Sequence, residues 1–242
     1  MVTKNQIKLI TSLQQKKFRQ INQLFIAEGV KVIDELLKSN YELEYLYVTE
    51  SIFENIGSSI KFTINYDALN KISALATANN CLAVFKIPEQ KPITTSGITV
   101  ALDTINDPGN FGTIIRLCDW YGINQIVCSP QTVDLYNPKV IQATMGSISR
   151  VNIAYLNLHT FLKQSTLPVY GTFMDGENVY KQKLPHNAIL LLGNEANGIS
   201  DELLDTISNK IAIPRFGELQ KTESLNVATA TAIFLSEFKR EF

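Results

Sequence analysis

The chain is poor in the residues that build cross-links and metal centres. Its three cysteines, Cys81, Cys118 and Cys128, show neither close pairing nor metal-ligand spacing, and its two histidines, His159 and His186, stand apart from them. A disulfide scaffold and a His/Cys metal site are therefore disfavoured, and the expectation is a reducing, cytoplasmic setting with no metal. Long apolar runs are also missing: none approaches the ~18 residues of a membrane span. The opening MVTKNQIKLI lacks the apolar core of a signal peptide. A soluble protein with no membrane association is expected. The dinucleotide signature G-x-G-x-x-G and the phosphate loop G-x-x-x-x-G-K-[ST] are absent too, which argues against nicotinamide or flavin chemistry and against phosphoryl transfer from a nucleotide.

An overall basic excess is lacking as well, with a net charge of −1. The excess is local: residues 1–20 hold Lys4, Lys8, Lys16, Lys17 and Arg19 and no acid. A first helix carrying these groups can face an anionic partner, although a solvated helix face would look the same. With 242 residues, 45% of them hydrophobic, the chain is long enough for one large core or two modest ones. The pattern favours two. Up to about residue 87 it alternates short helices and strands, with Asn5–Gln20 helical, FIAEG extended and Val30–Lys38 helical. YELEYLYVTE and KFTINY follow as strands, Ala68–Ala76 as a helix and CLAVFKIP as a buried strand. PEQKPITTSG at 88–97 has linker composition. We therefore expect domains at 1–90 and 98–242 joined by a linker at 91–97.

Beyond the linker, strands and helices alternate as in a parallel α/β sheet. ITVALD, QIVCS, VNIAYL, LPVYGTFM, AILLLG and KIAIP read as strands. Helices are expected up to Tyr121, near 138–145, over Asp201–Ile207 capped by Ser200, and over Ser224–Arg240. In the last of these, Ala228, Ala230 and Ala232 would be exposed for close packing.

Three stretches carry chemistry. The first, DTINDPGNFGTIIRLCDWYG at 103–122, is a strand-to-helix turn of the kind where α/β sheets bind ligands. Ile114, Leu117, Cys118 and Tyr121 form a core stripe, and Gly112 and Arg116 fall on the other face. Gly109 and Gly112 would leave room for a ligand beside Arg116. The second, ILLLGNEANGIS at 189–200, is an apolar strand ending in Gly193, Asn194 and Glu195. Glu195 either serves a site or shapes its loop by accepting backbone hydrogen bonds. The third, IAIPRFGELQKTESLNV at 211–227, runs from a strand through a loop to Ser224, which occupies an N-cap-like place before a long helix.

Together these stretches resemble the SpoU family of S-adenosylmethionine-dependent RNA ribose methyltransferases, of the SPOUT superfamily. NDPGNFGTIIR, LLGNEANGIS and IPRFG…SLNVATATAI match its three motifs in order, and ATMGSISRV at 143–151 is similar to a further family segment. FIAEGVKVIDELL resembles the start of the family's accessory substrate-binding domain. The resemblance implies a C-terminal α/β domain with a SPOUT-type parallel sheet and a trefoil knot, which nothing in the periodicity indicates. It also implies a preceding small α/β domain resembling a ribosomal-protein fold, and a homodimer. Its catalytic positions fall on Asn110, Arg116, Glu195, Ser224 and Asn226. Contacts to S-adenosylmethionine fall on Thr172, Gly193, Ile213 and Leu225.

The implied reaction is transfer of a methyl group to a ribose 2′-hydroxyl of RNA. Ribosomal RNA is favoured by the large N-terminal domain; transfer RNA, or a non-catalytic role in RNA binding or ribosome assembly, are the alternatives. A guanidinium is a reluctant base, so Arg116 is assigned to the phosphate beside the target ribose and to the developing alkoxide charge. Asn110 and Asn226 would fix Arg116 and the ribose, Ser224 would help orient them, and Glu195 would order its loop. The chain departs from the family pattern at Leu117, at Ala196 and in a longer stretch between Gly217 and Ser224, whose ELQKTE residues are expected to touch RNA or the partner subunit.

Overall fold

The computed structural model describes residues 2–94, 96–219 and 224–240. It divides into two compact units, one of residues 1–89 with 134–149 and one of 90–133 with 150–242. Residues 134–149 thus cluster with the first unit, whereas the sequence pattern groups them with the C-terminal domain. The expected linker region forms no regular structure among its described residues before strand β5 begins at Ile98.

The first unit contains α1 (Lys4–Ser12), α2 (Lys16–Asn22), β1 (Leu24–Glu28), α3 (Val30–Leu37), β2 (Leu43–Val48), β3 (Lys61–Thr63), α4 (Tyr66–Ile72) and β4 (Cys81–Lys86). Its sheet order is β1-β4-β2-β3, antiparallel except for the β2–β3 pair. The helix expected over Asn5–Gln20 is broken in two. The Thr11 and Ser12 hydroxyls donate to the carbonyls of Ile7 and Leu9, and Gln15 turns extended before α2. Ile10, Leu13, Ile26, Leu69, Ile72, Leu82 and Val84 fill the core. Tyr47 is buried with them, and its hydroxyl has no hydrogen-bond partner among the described residues.

Arg19 does not join the basic arm. It is buried, its Nε donating to Asp134 at 2.9 Å and its Nη1 to the Leu13 carbonyl at 2.8 Å. Lys4, Lys8, Lys16 and Lys17 are exposed. At the end of β1, buried Glu28 accepts from Ser73 Oγ at 2.6 Å and from the Ala74 amide at 2.7 Å. Ser73 is extended in this arrangement, which ends α4 at Ile72 rather than at Ala76.

The second unit contains β5 (Ile98–Leu102), α5 (Pro108–Trp120), β6 (Gln125–Cys128), β7 (Asn152–Tyr155), α7 (Leu158–Gln164), β8 (Val169–Asn178), β9 (Ala188–Leu192), β10 (Asn209–Ala212) and α8 (Val227–Phe238). The intervening α6 (Pro138–Thr144) belongs to the first unit. The six strands of the second unit run β10-β8-β9-β5-β6-β7, every neighbouring pair parallel. A central parallel strand is covered on both faces, and accordingly every residue of β5 and β9 is buried. Helix α7, which the sequence pattern did not mark, begins where Asn157 accepts from the Thr160 amide. Among the described residues no helix is long and apolar enough to cross a membrane.

Three expectations about helices are corrected. The last helix begins at Val227, capped by Asn226 rather than Ser224, because Asn226 Oδ1 accepts from the Ala228 and Thr229 amides. The segment Asp201–Thr206 is a 3-10 helix preceded by Ser200, whose hydroxyl makes no cap bond and donates to Asp103 instead. Ala228 is buried, and Ala230 and Ala232 are half-buried.

Candidate active site

All strands of the second sheet share one direction, so the loops after β5, β8, β9 and β10 emerge on the same side. The turn after β5 runs into α5, where Pro108 occupies the first turn and Asp107 accepts from the Asn110 amide at 2.7 Å. The cap fixes the first turn of α5 and, with it, the direction of the Asn110 side chain.

The loop after β9 closes on itself. Asn194 and Gly198 exchange backbone hydrogen bonds of 2.9 and 2.8 Å, and Asn194 Oδ1 accepts from the amides of Ala196 and Asn197. Gly198 adopts a left-handed φ of +71°, and a Cβ on Gly193 would lie 2.2–2.3 Å from the backbone of Gly198 and Ile199. Only glycine permits that approach. Three further bonds tie this loop to the end of β5. Asn194 Nδ2 donates to the Thr104 carbonyl at 2.7 Å, and buried Asp103 accepts from the Ser200 amide at 2.8 Å and its hydroxyl at 2.6 Å.

The loops meet in a polar relay. Asn226 Nδ2 donates to Asn110 Oδ1 at 2.8 Å, and Asn110 Nδ2 donates to Glu195 Oε1 at 2.6 Å. The amide orientations are forced from one end: Asn226 Oδ1 already serves as the α8 cap, so its Nδ2 must face Asn110, whose own Nδ2 must then face the carboxylate. Three residues far apart in the chain are thereby held by two helix caps and one loop.

Next to this relay lies a cavity of about 1040 Å³. Thr172, Gly193, Glu195, Ile213, Ser224 and Leu225 line it, with apolar walls from Leu192, Val227 and Phe234. Thr172 Oγ1 also donates to the Leu191 carbonyl at 3.3 Å. A large apolar slot with loop backbone and a few polar groups at its rim has the chemistry of a nucleoside-type site. Asn110 and Asn226 do not line the cavity and reach it through Glu195. Arg116 stands about 9 Å farther along the axis of α5. Its side chain is exposed and makes no hydrogen bond or ion pair with the described residues. Gly112, expected on the face with Arg116, is buried. It lies between the core-facing and exposed stripes and has no side chain with which to reach solvent.

Sequence reasoning gave no role at the site to Asp103, Asn194 and Ser200, which bind the loops to one another. The available signal was a carboxylate closing the apolar run ITVAL and an amide next to Gly193. Of the ELQKTE stretch, Glu218 and Leu219 line the cavity. Its other residues up to 223 lie outside the described ones.

Comparison with known proteins identifies the family. Residues 97–236 match the SpoU rRNA Methylase family, and residues 4–83 match the MRM3-like substrate binding domain. The chain is 31% identical over 241 residues to the 23S rRNA (guanosine(2553)-2'-O)-methyltransferase RlmP of Bacillus subtilis, covering 96% of this chain and 95% of that one. A TrmH-family structure from Porphyromonas gingivalis superposes with a TM-score of 0.91 at 36% identity, covering both chains fully. An AdoMet-bound rRNA methyltransferase from Sinorhizobium meliloti does so with a TM-score of 0.89 at 28% identity, covering 100% of this chain and 97% of that one. The chain belongs to the SpoU rRNA methylase family.

Proposed function

We infer that this chain transfers the methyl group of S-adenosylmethionine to a ribose 2′-hydroxyl of ribosomal RNA. The observation that carries the reading is the apolar cavity opening beside the Asn226–Asn110–Glu195 relay, with an unpaired Arg116 on the same helix as Asn110. Thr172, Gly193, Ile213 and Leu225 would hold the donor against the apolar wall. When bound, S-adenosylmethionine supplies an electrophilic methyl group on a sulfonium.

The chain's own task is placement and charge. Aligning two reacting atoms can supply ~7–11 kcal/mol of a barrier, and the fixed relay is suited to it. Arg116 binds the phosphate next to the target ribose and stabilises the negative charge that grows on the 2′-oxygen as its proton passes to solvent water and the thioether S-adenosylhomocysteine leaves. Asn110 and Asn226 position the ribose, Ser224 orients it at the cavity rim, and Glu195 keeps its loop closed over the donor.

The same reading assigns RNA capture to the N-terminal unit through exposed Lys4, Lys8, Lys16 and Lys17. It also includes a trefoil knot in the C-terminal segment, a homodimer and a cytoplasmic location. The knot and the homodimer rest on the resemblance to the family.

The test is methylation of ribosomal RNA from cells deleted for the gene, using radiolabelled S-adenosylmethionine and digestion to nucleosides. Label in one 2′-O-methyl nucleoside, lost with Arg116→Ala, is expected. Near-full turnover by Arg116→Lys would remove the bidentate role given to Arg116, and absence of label from every RNA would remove the assigned reaction.

A further inference from the structure

The turn between β5 and α5 holds a backbone conformation that its residue does not favour. Thr104 has a φ of +57°, the one non-glycine residue with a left-handed φ among the described residues of the second unit. For an L-residue that region is disfavoured roughly 5- to 30-fold, and a branch at Cβ adds crowding. Neighbouring groups must hold it there.

The hold comes from the loop after β6. Buried Ser129 accepts from the Thr104 amide through its Oγ at 2.8 Å, and buried Thr132 accepts from the Ile105 amide through its Oγ1 at 3.3 Å. The two hydroxyls lie 3.2 Å apart, and Thr132 Oγ1 donates to the Leu102 carbonyl at 3.3 Å. A hydroxyl has one proton, so with that of Thr132 committed to Leu102, Ser129 is the donor between them. Both protons are thereby spent, and each oxygen faces one backbone amide.

Thr104 passes this hold on. Its Oγ1 donates to Asp103 Oδ1 at 2.9 Å, and its carbonyl accepts from Asn194 Nδ2 at 2.7 Å. Relaxing φ to the ordinary side would rotate that carbonyl away from Asn194. Asn194 Oδ1 in turn shapes the loop that carries Glu195.

We propose that Ser129 is a positioning residue of the methyl-donor site. It holds Thr104 in the left-handed form that aims its carbonyl at Asn194, and so keeps the Glu195 loop in its binding conformation. This rests on the assignment of S-adenosylmethionine-dependent methylation above.

The test is a double-mutant cycle on the full-length protein, crossing Ser129→Ala with Thr104→Gly. Glycine takes a positive φ without steric cost and needs no hold. Ser129→Ala alone should weaken S-adenosylmethionine binding roughly 5- to 30-fold in titration calorimetry, because the loop is in its binding form for a correspondingly smaller fraction of the time. The KM for the donor should rise in step, that for ribosomal RNA should not, and the Thr104 amide should lose protection from hydrogen exchange. In the Thr104→Gly background, Ser129→Ala should weaken donor binding roughly twofold at most. Equal losses in the two backgrounds would show that Ser129 acts otherwise than through Thr104, and undiminished donor affinity in Ser129→Ala would overturn the proposal outright. Should Ser129→Ala show no cooperative melting, Thr132→Val takes its place in the same cycle and the same outcomes decide. If the wild-type protein binds the donor but methylates no RNA, the assigned reaction fails while the cycle still judges Ser129. If it binds no donor, both readings fall.

Discussion

Each unit closes a buried strand with a carboxylate and uses it in the same way. In the N-terminal unit Glu28, at the end of β1, gathers the Ser73 hydroxyl and the Ala74 amide. In the C-terminal unit Asp103, directly after β5, gathers the hydroxyl and amide of Ser200. Both carboxylates are under 5% exposed. What differs is the cargo. The loop pinned by Glu28 carries no proposed site residue, whereas the loop pinned by Asp103 carries Gly193 and Glu195. A conserved piece of physical logic, satisfying a buried charge with a neighbouring loop, is thus architectural in one unit and sets the geometry of the site in the other.

The comparison breaks most sharply with alanine. Asp103→Ala strands the Ser200 amide and hydroxyl and should cost about 2–4 kcal/mol of stability, since hydrogen bonds to a charged group are the stronger kind. It should also abolish measurable S-adenosylmethionine binding by titration calorimetry. Glu28→Ala should cost a similar amount in denaturant unfolding yet keep donor affinity. Equal donor binding by the two variants would show that the Asp103 loop is as architectural as its counterpart.

Asn226→Asp sharpens the picture by separating cap from relay. A carboxylate caps a helix as well as an amide does, so the melting temperature should hold. The donor to Asn110 is gone and two acceptors face each other, so kcat should fall roughly 100-fold, the scale of losing one preorganised donor. Unchanged turnover would confine Asn226 to capping.

A smaller effect lies in the pH response of the N-terminal unit. Burial holds the Glu28 carboxyl above its ordinary value of 4.5, with its hydrogen bonds from Ser73 and Ala74 opposing the shift. The folded state therefore binds this proton more tightly than the unfolded chain. Its contribution to stability is present below the ordinary value and declines as pH rises through the raised one. Glu28→Gln should flatten that part of the profile of unfolding free energy against pH, and an unaltered slope would contradict the account. Smallest of all, Tyr47→Phe removes a buried hydroxyl without a partner among the described residues and should raise stability by up to ~1 kcal/mol in the same unfolding assay.

The sequence displayed the groups proposed for chemistry better than the groups that hold them. Glu195 was visible because a carboxylate at the tip of an apolar strand has few structural reasons to be there, whereas Asn110 and Asn226 were implied only by the family resemblance. Asp103 sits in an equivalent place, but its partner Ser200 lies 97 residues away, and no local pattern reports a contact of that range. The same limit explains Arg19, whose ion pair with Asp134 spans 115 residues and removes it from an otherwise exposed basic face. The start of the last helix was misplaced because two capping residues stand close together: Ser224 and Asn226 both qualify by type, and it is Asn226 whose side chain accepts from the Ala228 and Thr229 amides. Strands fared well because buried parallel strands are apolar throughout, while α7 has a short apolar pattern that gives little periodicity.

That Asn226 is at once the cap of α8 and the head of the relay has a consequence for synthesis. The ribosome makes residue 110 first, residue 195 next and α8 after both, and until that helix winds, the amide has no fixed direction to pass on. The relay therefore closes only once α8 has been made and folded, after the segments that carry its other two members.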